Sequence, residues 1–168
     1  VGSEMCIRDR GNIPCVELLV ICRHGEGGES SFANQIDYED LIADHPAAYD
    51  WPDIPETAPM GLCYTSGTTG NPKGVMYTNR STYLHTLTES LTDSMGLSAL
   101  DSLLGIVPMF HAMGWGLPFA ASMLGTKQVY PHRFMTPDSF LSLMQQEQVT
   151  ISAGVPTIWQ GVRATLEA

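Results

Sequence analysis

Apolar residues recur along the chain in short blocks whose spacing switches between strand-like and helix-like. Val16-Glu17-Leu18-Leu19-Val20-Ile21-Cys22 is a short apolar run bounded by Pro14 and the Gly25–Gly28 region, which predicts a buried strand. Gly25 to Ser31 reads as a loop and Tyr38 to Asp44 as a short helix. Pro46 to Pro59 holds four prolines and little periodicity, so it reads as a connector. Met60 to Tyr64 is apolar enough for a strand, and Val75-Met76-Tyr77 is apolar again; both are expected to be buried. Leu84, Leu87, Leu91 and Met95 fall at helical spacing within Ser81 to Met95, and Thr78 or Asn79 can cap that helix.

A regular alternation follows. Strands are expected at Leu103–Val107, Gln128–Tyr130 and Val149–Ser152. Helices are expected at Trp115–Leu124, at Pro137–Gln146 behind a Thr136 cap, and at Pro156–Leu166. The last presents Val155, Ile158, Trp159, Val162 and Leu166 on one face. Such alternation predicts an α/β fold: parallel-sheet layers with flanking helices and right-handed crossovers.

Between the two apolar segments at 60–64 and 75–77 lies Tyr64-Thr65-Ser66-Gly67-Thr68-Thr69-Gly70-Asn71-Pro72-Lys73-Gly74. Glycines let successive backbone N–H groups point into one concavity, and such nests bind anions. The Ser and Thr hydroxyls add donors and Lys73 adds a full charge, so the fitting ligand is a polyphosphate. A helix starting close behind the loop would add its dipole. The stretch is not a Walker A loop, because Lys73 follows Pro72 and precedes Gly74. The plainer alternative is a hydroxyl-rich surface loop.

This stretch resembles the phosphate-loop signature of the adenylate-forming superfamily: acyl-CoA synthetases, peptide-synthetase adenylation domains and luciferases. Val107-Pro108-Met109-Phe110-His111-Ala112-Met113-Gly114-Trp115-Gly116-Leu117-Pro118-Phe119 is similar to the family's acyl-site motif. Ala153-Gly154-Val155-Pro156-Thr157-Ile158-Trp159 is similar to the strand and helix that follow in fatty-acyl-CoA ligases. The resemblance covers about Pro14 to the C-terminus and implies part of the large N-terminal domain of an acyl-CoA synthetase.

The resemblance implies a two-step reaction. A carboxylate attacks the α-phosphorus of ATP to give acyl-adenylate and pyrophosphate, and the thiol of CoA then displaces AMP. It implies that Thr65, Ser66, Gly67, Thr68, Thr69 and Gly70 wrap the phosphates, that Lys73 neutralises their charge, and that Thr65 contacts Mg²⁺. A strand-end hydroxyl bonded to backbone is the alternative for Thr65. His111 matches the family's acyl-site histidine and is expected to position substrate rather than transfer a proton. Trp115 matches the aromatic gate of fatty-acyl members, with plain core packing as the alternative. Gly154-Val155-Pro156-Thr157 either lines the acyl pocket or is simply a strand-to-helix turn. Where Asn79 stands the family usually has histidine. His24, His45, His85 and His132 have no partners legible in the sequence and read as surface or helix-face residues.

Net charge is −10, which argues against nucleic acid and against an anionic membrane surface. No Lys or Arg occurs from His24 to Pro72, a span whose many acids read as a solvated face. No stretch is long enough to cross a membrane. Cys6, Cys15, Cys22 and Cys63 lack metal-site spacing and read as free thiols in a reducing, cytoplasmic setting. Cys22 and Cys63 are expected in the core. Val1–Arg10 reads as a non-native leader, and 11–168 as a partial N-terminal AMP-binding domain without its C-terminal domain. The family's Tyr-Gly-x-Thr-Glu motif, its ribose-binding Asp, its hinge and its C-terminal lysine do not occur here. The chain alone is therefore expected not to turn over. Family members often dimerise. A different adenylating enzyme (an aryl or short-chain CoA ligase, or a peptide-synthetase domain) and a non-catalytic nucleotide-binding fragment are the competing readings.

Overall fold

The computed structural model describes residues 17–22, 34–65 and 71–167. It divides into two units, Val1–Pro52 and Asp53–Ala168, and each is described by itself.

In the first unit β1 (Leu19–Ile21) pairs in parallel with β2 (Gln35–Asp37), in the register Leu19 to Gln35. Helix α1 (Tyr38–Ala43) follows directly. The strand expected at Val16–Cys22 is shorter than its apolar run, and it is not a buried one. Leu18 and Val20 stay exposed, as does Cys22, contrary to the core position expected for that thiol. A three-residue, two-stranded ladder has no room to cover both of its faces. The predicted loop at Gly25–Ser31 and His24 lie outside the described residues.

The second unit is built around β5 (Ser102–Gly105), the middle strand of a three-stranded parallel sheet. Its neighbours are β6 (Lys127–Val129) and β7 (Ile151–Ala153), giving the order β6-β5-β7. Successive side chains of a strand point to opposite faces, so Leu103 and Leu104 enter two different cores. Both are fully buried. Leu103 joins Leu97, Leu117, Ala120 and Ala121, residues that include the inner face of α4 (Leu117–Leu124). Leu104 joins Ile106, Val129, Phe140 and Val162, the last two from α5 (Pro137–Gln146) and α6 (Pro156–Leu166). Helices on both faces explain why the strand sequence is a continuous apolar run rather than an alternation.

Helices α5 and α6 span the residues expected of them, each with proline at its first position. Thr136 caps α5 by accepting from the Ser139 N–H. The inner face of α6 is narrower than expected, because Val155 and Leu166 at its two ends are exposed.

Asp101 ties the entry to β5 to the entry to β7. Its Oδ2 accepts from the Ser98 N–H at 2.9 Å and the Ser98 hydroxyl at 2.7 Å, and its Oδ1 accepts from Thr150 Oγ1 at 2.8 Å. The Ser98 and Thr150 hydroxyls hold its carboxyl below the usual aspartate range. A depressed carboxyl stabilises the fold above the unfolded pKa, and that contribution is lost as pH falls through the folded one. Asp101→Asn should therefore lower the melting temperature near neutral pH, by about 1 kcal/mol of stability. The gap between parent and variant should close in acid, below the ordinary Asp range. Paired thermal melts across pH check both the sign and the window.

Two buried segments were expected around the polar loop; instead they form an exposed antiparallel hairpin. β3 (Pro59–Thr65) pairs with β4 (Lys73–Thr78), with Thr65 opposite Lys73. Of the apolar residues in the two strands only Cys63 is buried; Leu62, Val75 and Met76 are exposed. Helix α2 (Asn79–Glu89) starts at the far end of β4 from the loop. Six extended residues at about 3.4 Å each separate α2 from Lys73, so the helix does not start close behind the hairpin mouth as expected and its dipole falls off before reaching Lys73. Thr78 caps α2 in a reciprocal box with Ser81.

The expected leucine stripe of α2 faces outward. Leu84, Leu87 and Leu91 are exposed, whereas Thr86 and Glu89 are buried and α2 packs on α4. The reason is local hydrogen bonding. Thr86 Oγ1 donates to the Thr82 carbonyl at 2.8 Å, and Ser90 Oγ donates to the Thr86 carbonyl at 2.9 Å. Hydroxyls satisfied by their own helix can pack as small side chains.

Candidate functional site

The β3–β4 hairpin and the segment that follows β5 meet at one place. Residues Ala112–Trp115 form a short turn, α3, that packs against β3. Gly61 makes the contact possible: a Cβ there would stand 2.6 Å from the Met113 sulfur. Cys63 Sγ lies 3.9 Å from the Met109 carbonyl, as a weak donor to it. The phosphate-loop hairpin and the histidine–tryptophan motif, 46 residues apart at this contact, are thus brought together by direct packing.

The turn is not the start of the expected right-handed helix. Ala112, Met113, Gly114, Trp115 and Gly116 all have positive φ, from 45° to 76°. Weak i+3 bonds hold it, Gly114 N–H to the His111 carbonyl and Gly116 N–H to the Met113 carbonyl. Left-handed backbone costs a non-glycine residue about 1–2 kcal/mol, so the surroundings must impose it. Helix α4 begins only after Gly116, which leaves Trp115 outside it.

Beneath the turn is a cavity of about 460 Å³ between α2, α3 and the start of α4. Its wall is mainly apolar and includes Tyr77, Met113, Trp115 and Phe119, with Ser81, His85 and Glu89 along α2. His85 is on a helix face and half-exposed, as expected, and the partners the sequence did not show are the Trp115 carbonyl, 3.0 Å from its Nε2, and Glu89 Oε1 at 3.3 Å. Burial raises the Glu89 carboxyl above its usual range, and the adjacent His85 pulls it the other way. Glu89 Oε2 is buried without a hydrogen-bond partner.

At the hairpin mouth Thr65 and Lys73 face each other. Thr65 Oγ1 reaches only the Lys73 carbonyl, at 3.5 Å, so its hydroxyl is hardly engaged. Among the described residues the other cations are occupied. Arg80 pairs with Glu56, Lys127 with Glu147 and Arg163 with Glu167, while Arg133 lies over the Phe134 ring. The Lys73 side chain is exposed and has no such partner among these residues. Ser66, Gly67, Thr68, Thr69 and Gly70 lie outside the described residues.

His111 sits beyond the C-terminal end of β5, at the head of the turn, with its ring 6.4 Å from that of Trp115. Gly154 follows β7 at the same sheet edge, where its carbonyl accepts from Trp159 Nε1 at 3.1 Å. Gly154 and His111 are not among the residues lining the cavity; Trp115 is. Among the described residues no three His, Cys, Asp or Glu side chains gather to hold a metal ion. No helix of the described residues is long and apolar enough to cross a membrane.

The sequence reading missed the α2 wall. Ser81, His85 and Glu89 repeat every four residues, a polar stripe that was open to inspection but was overlooked beside the leucines. Gly116 is the backbone element on which this wall closes: a Cβ there would stand 2.3 Å from the His85 ring and 2.9 Å from Glu89 Oε2. Gly116→Ala should cost about 1–3 kcal/mol through its positive φ and the displaced histidine, measured by denaturant unfolding. A neutral result would mean the turn is not held as described.

Comparison with known proteins gives a consistent answer. A family model described as AMP-binding enzyme matches residues 10–168. The medium-chain-fatty-acid–CoA ligase of Ectopseudomonas oleovorans is 45% identical over 92% of this chain and 28% of its own length. A 3-methylmercaptopropionyl-CoA ligase of Ruegeria pomeroyi is 41% identical over 95% of this chain and 30% of its own length. The chain thus spans under a third of these curated relatives. The o-succinylbenzoate CoA synthetase MenE of Bacillus subtilis, solved with its acyl-adenylate intermediate, superposes with a TM-score of 0.67. It is 25% identical, over 99% of this chain and 42% of that one.

Proposed function

The chain belongs to the AMP-binding enzyme family, and from that premise we propose that it is the phosphate-gripping and acyl-binding part of a longer carboxylic acid–CoA ligase. The observation that carries this reading is Lys73: an exposed cation without an ion-pair partner among the described residues, opposite Thr65 at the mouth of the hairpin. In a chain of net charge −10, an unpartnered cation beside a glycine- and hydroxyl-rich loop suits a polyanion.

On this reading Thr65, Ser66, Gly67, Thr68, Thr69 and Gly70 surround the triphosphate of ATP while Lys73 offsets its charge. Charge that builds on the phosphates as the acid attacks would be met by the loop's hydroxyl and backbone donors and by the Lys73 ammonium. Thr65 supplies one neutral oxygen toward a magnesium ion that arrives with ATP. Among the described residues no three His, Cys, Asp or Glu side chains gather to help it, so from this chain Thr65 alone would contribute, and the ion would offset phosphate charge. The cavity beside Trp115 takes the acid's apolar chain, and His111 at the head of the turn holds the carboxylate end. Gly154 shapes the neighbouring sheet edge. CoA then accepts the acyl group.

The apolar wall and the fatty-acid ligase relative favour a medium- or long-chain acid. The 3-methylmercaptopropionyl-CoA ligase relative favours a short thioether acid instead. Thioester formation by the full-length enzyme, measured across short, medium, long and aromatic acids, separates the two. Highest kcat/KM for octanoate to palmitate supports the first, and highest kcat/KM for acids of six carbons or fewer overturns it. Failure of every acid would overturn the ligase reading itself.

A further inference from the structure

We infer that His85 and Glu89 are positioning residues for the acid substrate: together they hold the left-handed turn that carries Trp115 against the cavity. This rests on the reading of that cavity as the acyl site.

The turn needs a tie. Three of its five positive-φ residues, Ala112, Met113 and Trp115, carry side chains that disfavour this backbone. Its two internal bonds, at 3.0 and 3.3 Å, both lie within the turn and fix nothing to the rest of the unit. Met113 packs on Gly61 of β3, and the hydrogen-bonded tie from outside comes from α2. A carbonyl can only accept, so the 3.0 Å contact between His85 Nε2 and the Trp115 carbonyl requires a proton on Nε2. Glu89 Oε1, 3.3 Å from the same nitrogen, shares that N–H and fixes the tautomer.

Glu89 stands one helical turn after His85, and its side chain is 92% buried against the half-exposed histidine's 47%. The carboxylate is thus the buried partner, and the imidazole spans from it to the turn. Gly116 completes the fit, because any Cβ there would collide with both residues. The carbonyl that His85 holds belongs to Trp115 itself, so its position sets where the indole stands and how far it lies from His111. Nothing in phosphate binding calls for this pair. It acts on the acid end of the site alone.

The test uses the full-length enzyme with octanoate, ATP and CoA. His85→Ala should raise KM for the acid about tenfold while KM for ATP moves less than twofold. His85→Gln retains an N–H of similar reach and should recover most of the acid KM. Glu89→Gln keeps an acceptor for that N–H and should fall between the two, which gives a second readout should His85→Ala fold poorly. Equal changes in both KM values, no change in either, or no rescue by glutamine would overturn the inference while leaving the ligase reading intact. Absence of thioester from the parent enzyme with every acid would overturn both.

Discussion

Lys73→Ala in the full-length enzyme should slow acyl-adenylate formation by about 10²–10³-fold, the usual effect of removing one positioned donor from a developing anion. The expectation follows from the geometry of the hairpin mouth. Lys73 opens β4 directly opposite Thr65, so backbone pairing fixes its Cα even though its side chain is exposed. Without an ion-pair partner among the described residues, it loses no existing contact when it turns to a phosphate. Arg80 cannot stand in for it. That residue lies seven positions further on, in the first turn of α2 beyond the opposite end of β4, and is paired with Glu56. Single-turnover formation of the adenylate, with ATP and acid saturating, isolates the step. Lys73→Arg should recover only part of the rate, since its charge is spread over a planar fork.

The second large effect lies in the core. Leu104→Ala should destabilise the protein by about 2–5 kcal/mol, because β5 is covered on both faces and cannot collapse into the space left. Leu104 is fully buried among Ile106, Val129, Phe140 and Val162, which come from three different elements and the loop after β5. A loss of that size is a large part of a typical domain's stability. Leu100→Ala is the control: Leu100 is 95% exposed and should change stability by about 0.5 kcal/mol or less. Denaturant unfolding of both variants checks the contrast.

The parallel sheet and its last two helices were legible in the sequence because local signals agreed with burial. Proline at the first helical position, a threonine cap and an apolar face all point to Pro137–Gln146, and proline with an apolar face to Pro156–Leu166. Where local and tertiary signals conflicted, the reading failed. The α2 leucines have ideal spacing, but hydroxyls bonded to their own helix took the inner face. The helix was expected close behind the phosphate loop because strand β4 was not counted at its full six residues. The left-handed turn is hidden for a different reason. Gly114 and Gly116 hint at it, but the positive φ of Ala112, Met113 and Trp115 is imposed by β3 and α2, which lie far away in the chain. The loop motif was read from residue type and His111 from family resemblance; the contact of the hairpin with the segment after β5, through Gly61 and Met113, was not legible in either.

Equilibrium binding of ATP and of AMP to the full-length enzyme tests the phosphate grip most directly. On the proposed reading the loop and Lys73 meet the charge of the whole triphosphate, of which AMP keeps only the α-phosphate. Replacing Lys73 and Thr65 by alanine should weaken ATP binding by about tenfold or more and leave AMP binding within about twofold. Equal losses for the two nucleotides, or no loss for ATP, would contradict the assignment of the hairpin to the triphosphate.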